Sequence, residues 1–381
     1  VSARRPGAAL VLALVLGLLA ACTSAAEPSP GPATTTTARR TTTSTTADPP
    51  PPLKVAWINQ GLVGSEAWSD AHDAASREVG AALGARVELR FLDGVQPDAA
   101  GRVIDGLAAE GFRLVFATSF PLQDAMVAAA RRHPEVHFEQ ARGSVVTANL
   151  GTYGGADEEP IYLAGMAAAA TSTTGVLGFV GTVPEAETIR HVDAFTLGAQ
   201  AVDPHVRVRL AWVGNWFDVD GEGRLAKQLV AEGADVIATG AISPITGWVA
   251  RDAGVGWVGH DKDWSKEYPA TWITGAVPDW GPYYLREVRA ELAGRWRAAA
   301  YYGDIADGFT DIAAFGDRVP APVRATVEAA RARIVAGSLD PFAGPLVDVD
   351  GRARVAAGSS LSADDRAHLD WLVRGIEVVG S

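Results

Sequence analysis

The chain predicts an α/β protein of two lobes, each built on a parallel sheet with helices on both faces. Three observations carry this. From Lys54 onward, short apolar runs alternate with amphipathic segments, the pattern of βα units. The rhythm stops after "EVHFEQ" and restarts at "GVLGFVG", which divides the series in two. The apolar fraction, 48%, supplies enough side chain for two cores.

The elements follow in order. "KVAWI" (54–58) is the first strand, and "AWSDAHDAASREVGAAL" (67–83) a helix with small apolar residues inward. "RVELRFL" (86–92) is the second strand, and Pro97 opens the next helix, "PDAAGRVIDGLAAEG". "RLVFATS" (113–119) is the third strand, "LQDAMVAAARRHP" a helix that must stop before Pro134, and "EVHFEQ" the fourth strand. The second series runs "GVLGFVG" (175–181), "AETIRHVDAFTLGAQAV", "RVRLAWV" (207–213), "GRLAKQLVAEG", "ADVIATG" (234–240), "PITGWVARDAG" and "VGWVGH" (255–260). Late in the chain, "SADDRAHLDWLVRG" predicts a helix N-capped by Ser362, with Leu369, Leu372 and Val373 on one face.

The first residues predict export. Arg4 and Arg5 precede "AALVLALVLGLLAA", a run too short for a membrane span. Leu19-Ala20-Ala21-Cys22 then resembles a bacterial lipobox, in which Cys22 carries lipid. As the single Cys of the sequence, it cannot form an internal disulfide. Residues 1–22 are thus expected to be a lipoprotein signal and 23–52 a Thr/Pro-rich disordered tether, because that stretch has no large apolar side chain. A net charge of −12 argues against nucleic acid as a partner.

Ligands of open parallel sheets bind beyond the carboxyl ends of the strands. There the chain places "NQGLVGSEAW", "TSFPLQD", "GTVPE", "GNWFD", "GAISPITGW" and "GHDKDW". Aromatics and carboxylates recur at these ends, as in an apolar cleft with a few polar groups that orient a ligand. In "GNWFD", Trp216 and Phe217 sit where an apolar run has just ended, either as a lid on the core or as a platform for a flat ligand. Gly61 and Gly64 would let the backbone approach such a ligand, and Asp124 reads equally as a helix cap or a contact.

Over about 54–376 the chain resembles the basic-membrane-lipoprotein family of ABC-transporter substrate-binding proteins. The resemblance is carried by "LVFATSFPLQDAMVAAARRHPEVHFEQA", "GVLGFVGTVPEAETIRHVDAFTLGAQAVDP", "NWFDVDGEGRLAKQLVAEGADVIATG", "WGPYYLREVRAELAGRW" and "DPFAGPL". It looks closest to the branch associated with adenine. The resemblance implies a type I periplasmic-binding-protein-like fold with the ligand between the lobes. Lobe 1 would be 53–145 plus about 270–315, lobe 2 146–269 plus about 316–347, and 348–381 a packed extension. Hinges would fall near 141–153, 262–276 and 308–320.

It further implies Trp68 and Trp216 as the two faces of a purine sandwich and Asp124 and Asp261 as the acids that read the base edge, with Ser119, Phe120, Phe217 and Trp280 around the site. Pro278 stands where nucleoside-binding members have a ribose-contacting Lys, so a free base is expected over a nucleoside, with Trp280 and Tyr283 or Tyr284 as steric barriers. The expected partners are a purine base or nucleoside, an ABC permease with its ATPase, and the outer face of the cell membrane through Cys22. The protein is expected to be a monomer with no cofactor, no metal and no catalysis.

The rival readings are few. "GEGRLA" (221–226) fits a dinucleotide pattern but does not directly follow a strand, and no acid ends the next one. His72-Asp73 and His260-Asp261 could be metal ligands or an acid/base pair. Arg190 and Asn215 keep a sugar ligand open, and a ligand sensor for a signalling partner would use the same anchor.

Overall fold

A computed structural model describes residues 50–380 apart from 217 and 242. The expected signal segment, Cys22 and nearly all of the tether lie outside the described residues, as does Phe217. Among the described residues, no helix is long and apolar enough to cross a membrane.

The first lobe is built from β1 (Leu53–Ile58), α1 (Ala67–Leu83), β2 (Val87–Leu92), α2 (Pro97–Ala109), β3 (Leu114–Ala117), α3 (Gln123–Arg132), β4 (His137–Ala141) and β5 (Leu150–Gly155). The chain then enters the second lobe with α4 (Glu158–Thr171), β6 (Val176–Gly181), α5 (Ala186–Val202), β7 (Arg207–Trp212), α6 (Val219–Ala231), β8 (Val236–Thr239), α7 (Ile245–Ala253), β9 (Gly256–His260) and β10 (Trp272–Pro278). It returns to the first with α8 (Trp280–Leu292) and β11 (Ala300–Gly303), and crosses back with β12 (Thr310–Ile312) and α9 (Ala321–Val335). The remainder holds β13 (Leu346–Val347), β14 (Ala353–Val355), α10 (Ala363–Ala367) and β15 (Ile376–Val378). The sheet orders are β11-β5-β4-β3-β1-β2 and β12-β10-β9-β8-β6-β7-β15. All pairings within them are parallel except β10–β12.

Strand alternation explains why each sheet carries two cores. On β1, Val55 and Trp57 face α1 and α8, whereas Ala56 and Ile58 face α2 and α3, and all four are fully buried. In the second lobe, Leu177 and Phe179 of β6 pack under α4 and α5, while Val176 and Val180 pack under α6 and α7. Helices α4 and α5 approach unusually closely. A Cβ on Gly165 would run into the Phe195 carbonyl, and one on Gly198 into the Tyr162 carbonyl. Only glycine fits at either position.

Sheet membership moves the expected lobe boundaries. Residues 150–155 pair with β4 and β11 and stay in the first sheet. Residues 272–278 pair with β9 and stay in the second. Each strand runs to its end before the chain leaves its sheet, so the crossings are at 155–158, 278–280 and 303–310: the first two follow the ranges expected, and the third overlaps the start of its range, 308–320.

The C-terminal helix is also shorter than expected. Ser362 and Asp365 form a reciprocal capping box, but the helix ends at Ala367. Val373 instead donates its N–H to buried Asp193 at 2.9 Å, and β15 then joins the edge of β7. Leu369 and Val373 are buried as foreseen, on an extended path and not on a helix face.

Candidate functional site

The carboxyl ends of both sheets face one another across a cavity of about 460 Å³, within the usual range for small-molecule sites. From the first lobe, its walls are Gln60 and Gly61 after β1, Glu66 and Trp68 at the start of α1, Ser119 and Phe120 after β3, and Arg142 after β4. From the second lobe come Glu187, Thr188 and His191 of α5, Trp216 after β7, and His260 and Asp261 at the end of β9.

Trp68 is held rigidly. Its indole N–H donates to the Thr118 carbonyl at 3.0 Å. His72 and Trp280 meet it edge-on, with centroids at 4.6 and 5.3 Å. His72 is in turn fixed by a 2.6 Å hydrogen bond between its Nδ1 and the Tyr284 hydroxyl, and burial lowers its pKa well below the ordinary value. His72 is therefore a neutral packing group beneath the platform, and Asp73 pairs with Arg77 on the surface. Among the described residues, no group of His, Cys, Asp and Glu could hold a metal ion.

Glu66 precedes α1 and stays in the cavity through Ser69, whose hydroxyl donates to it. Asn59 secures Ser69 at 2.6 Å. Gly61 serves this contact: a Cβ there would collide with the Glu66 carboxylate. Gly61, the glycine expected to admit a ligand, lines the cavity and also leaves room for this carboxylate.

Burial raises the pKa of Glu66, with a hydrogen bond from Ser69 opposing and Asp261 and Asp70 adding to the rise. Asp261 is 3% exposed and its pKa is also raised by burial, against the pull of His260 and Arg142. Burial and the neighbouring His260, Arg190 and Arg142 hold His191 neutral. Arg142 is the cavity's cation. Burial disfavours its charge, but Glu187, Asp157 and Asp261 more than offset that.

Two features of these walls are of the kind that concentrates at functional sites. Gln60 Oε1, His191 Nε2 and Arg142 Nε are buried with no hydrogen-bond partner among the described residues, an arrangement proteins rarely leave standing. Asp261 Oδ1 shares this lack, lying 3.3 Å from His260 Nε2. Arg142 and Asp261 are also the two described non-glycine residues with left-handed φ, at 52° and 62°. Such strain concentrates at functional sites.

The expected site residues divide accordingly. Trp68, Ser119, Phe120, Trp216 and Asp261 line one cavity. Asp124 does not: the helical turn at Phe120–Leu122 redirects the chain, and Asp124 emerges exposed in the first turn of α3. Trp280 is 1% exposed and packs behind Trp68, buttressing the platform. Pro278, Tyr283 and Tyr284 do not line the cavity either, so discrimination against a sugar cannot be assigned to them. Pro278 pairs with Thr310 at a lobe crossing. Arg190 is bound to Glu158 at 3.1 Å and Asn215 is exposed, and neither forms part of the wall. At the "GEGRLA" helix, Asp218 caps Gly221 at 2.9 Å and occupies the end a pyrophosphate would need.

Gln60, Glu66, Arg142, Glu187, Thr188 and His191 were not singled out in the sequence as site residues. The repeated acidic and aromatic strand ends pointed to the right ends of the sheets, but nothing in the local pattern told which side chains turn inward.

The comparisons agree with this architecture. The family described as "ABC transporter substrate-binding protein PnrA-like" matches residues 53–323. A purine-binding protein of Brucella abortus is 36% identical over 326 residues, covering 85% of this chain and 93% of that protein. A protein named for glucose binding in an ABC transporter of Haloferax volcanii is 31% identical over 292 residues, 77% of this chain and 74% of its own length. A solute-binding protein from an ABC transporter system of Conexibacter woesei has the same fold, with a TM-score of 0.63 at 23% identity, covering 76% of this chain and 98% of that one. Two lobes with parallel sheets, a cavity at their facing carboxyl ends and a family match over most of the folded residues agree: the chain belongs to the PnrA-like family of ABC transporter substrate-binding proteins.

Proposed function

We propose that this protein captures a purine base of the adenine type between Trp68 and Trp216 and presents it to an ABC importer at the outer face of the membrane. The single observation that carries the reading is that one indole from each lobe lines the same cavity, alongside acids and buried polar atoms that have no partner among the described residues. An aromatic ring pair favours a flat ligand, and each base–aromatic contact is worth about 1–3 kcal/mol. Stacking tolerates any flat ring, so the edge must supply selectivity. Glu66 and Asp261 accept hydrogen bonds when ionised, which suits an exocyclic amine or a ring N–H, and adenine carries both. The purine-binding relative supports the same ligand class.

Capture proceeds by closure of the lobes about the crossings at 155–158, 278–280 and 303–310, with the base seated first on Trp68. The protein acts as a monomer, held near its permease and ATPase by lipid on Cys22. The test is calorimetric titration of the purified protein with adenine, adenosine and glucose. Adenine binding more tightly than adenosine supports the reading. Adenosine winning moves the ligand to a nucleoside, and glucose winning overturns the aromatic-sandwich assignment in favour of the sugar alternative raised by the Haloferax relative.

A further inference from the structure

Two ion pairs cross the cleft. Arg142, at the end of β4 in the first lobe, pairs with Glu187 in the first turn of α5 in the second. Lys262, in the loop after β9 of the second lobe, lies 3.5 Å from Asp70 in the first turn of α1 in the first. Lys262 Nζ also sits 4.1 Å from the centre of the Trp264 ring, so its position is set from its own lobe.

Arg142 does more than pair. Its guanidinium lies 5.0 Å from the centre of the Trp68 ring, the proposed ligand platform. A second branch of the fork reaches Asp157 at 2.6 Å. Asp157 is at the first lobe crossing and accepts from Thr310 at the third, at 3.0 Å. Arg142 lines the cavity, and its Nε is buried without a hydrogen-bond partner among the described residues. A planar guanidinium has five N–H donors in a fixed fork, so it can meet two carboxylates and keep a further N–H for a ligand; a lysine has three donors on a compact ammonium without that fixed fork.

We propose that Arg142–Glu187 and Asp70–Lys262 form a closing latch, and that Arg142 is the positioning residue joining ligand seat, hinge and opposite lobe. The latch rests on the assignment of this cavity as the ligand site, but not on the ligand's identity. It extends that assignment from what the cavity holds to how long it stays shut. The left-handed backbone at Arg142 has its use here, since it aims one side chain at all three places. Because the side chains of Glu187, Asp70 and Lys262 are 31%, 27% and 34% exposed, salt should weaken the latch.

The experiment uses Lys262→Gln and Glu187→Gln, singly and together, in the full chain. Both sites are partly exposed, so the fold is retained. Lys262 does not line the cavity, so any effect of K262Q on ligand release acts through closure and not through contact. Stopped-flow release of adenine is expected to speed up about 3-fold for each single variant and about 10-fold for the double. Added salt should accelerate release from the wild type and leave the double variant unchanged. Release within 1.5-fold of wild type in K262Q and in the double variant overturns the latch while leaving the ligand reading intact. If the wild type does not bind adenine, the ligand reading fails, and small-angle scattering of the unliganded chain decides the latch. A larger radius of gyration in the double variant supports it, and identical curves overturn it.

Discussion

Glu139 offers the sharpest test of the energetics derived from this structure. It lies on β4 inside the first lobe, 2% exposed, where the Tyr283 hydroxyl donates to one oxygen at 2.9 Å and the Trp296 indole N–H to the other at 2.8 Å. Burial pushes its pKa up to about 8, with Glu287 adding to the push and the two hydrogen bonds and Arg286 only partly countering it. Below the ordinary carboxyl range, folded and unfolded chains both carry the proton and stability is unaffected. As pH rises from about 4.5 toward 8, the unfolded chain ionises while the folded one does not, so stability falls, and the loss is complete above the folded value. At about 1.4 kcal/mol per pH unit the span corresponds to a ceiling of roughly 5 kcal/mol, and relaxation of the site should reduce this to about 2–4.

Glu139→Gln mimics the protonated acid. Its carbonyl accepts from Trp296 and its amide donates to the Tyr283 oxygen. Urea unfolding of wild type and variant at pH 5, 6, 7 and 8, followed by tryptophan emission and far-ultraviolet dichroism, gives the comparison. The two should coincide near pH 5 and diverge upward, with the variant more stable at pH 8. Some slope will remain in the variant, because Glu159 and Glu222 are also raised, each to about 7 and chiefly by burial. Parallel wild-type and variant curves across the whole range would refute the buried, protonated state of Glu139.

Three further outcomes are expected. Trp68→Ala should weaken adenine binding roughly 5- to 150-fold, the equivalent of about 1–3 kcal/mol of lost stacking, as read by calorimetry; unchanged affinity would remove Trp68 as a platform. Gly198→Ala should cost about 1–3 kcal/mol in urea unfolding, because a methyl group there meets the Tyr162 carbonyl and α4 and α5 must separate; a neutral result would mean that helix pair is looser than described. Asp193→Ala strands the buried Val373 N–H at a cost of about 1–3 kcal/mol, and hydrogen exchange should rise in 369–378 while the first lobe stays protected; uniform exchange would show that Asp193 does not pin this segment.

How far the sequence could be read depends on whether a feature is local. The helix 67–83 and the strand 207–212 follow from periodicity within their own residues, so both were legible. β5 and β11 were not, since "LGTYGG" and "AYYG" contain little alternation and are strands because neighbours hold them. At the site, Trp68, Trp216 and Asp261 stood out as bulky or charged groups at strand ends. Asp124 has the same local signature yet points to solvent, and Trp280 has it yet is buried in packing. Arg142 shows the opposite limit. In "EQARGS" it is an ordinary arginine, and its importance arises only when Asp157, Glu187 and Trp68, from three separate segments, surround it. The path of the C-terminal segment was likewise decided remotely, by Asp193 and the open edge of β7.

The interleaving of the two sheets along the chain bears on how the protein can be made. The first sheet lacks its β11 edge until residues 300–303 have been synthesised, and the second lacks β15 until 376–378. A nascent chain therefore carries an unpaired β7 edge from residue 212 until β15 at 376–378 has been made, and such edges recruit other strands. The first sheet has all its strands by residue 303, whereas the second waits for residue 378. That edge is closed only when β15 pairs with it in parallel. Shortening the chain before residue 376 should thus harm yield and solubility well before it touches ligand capture.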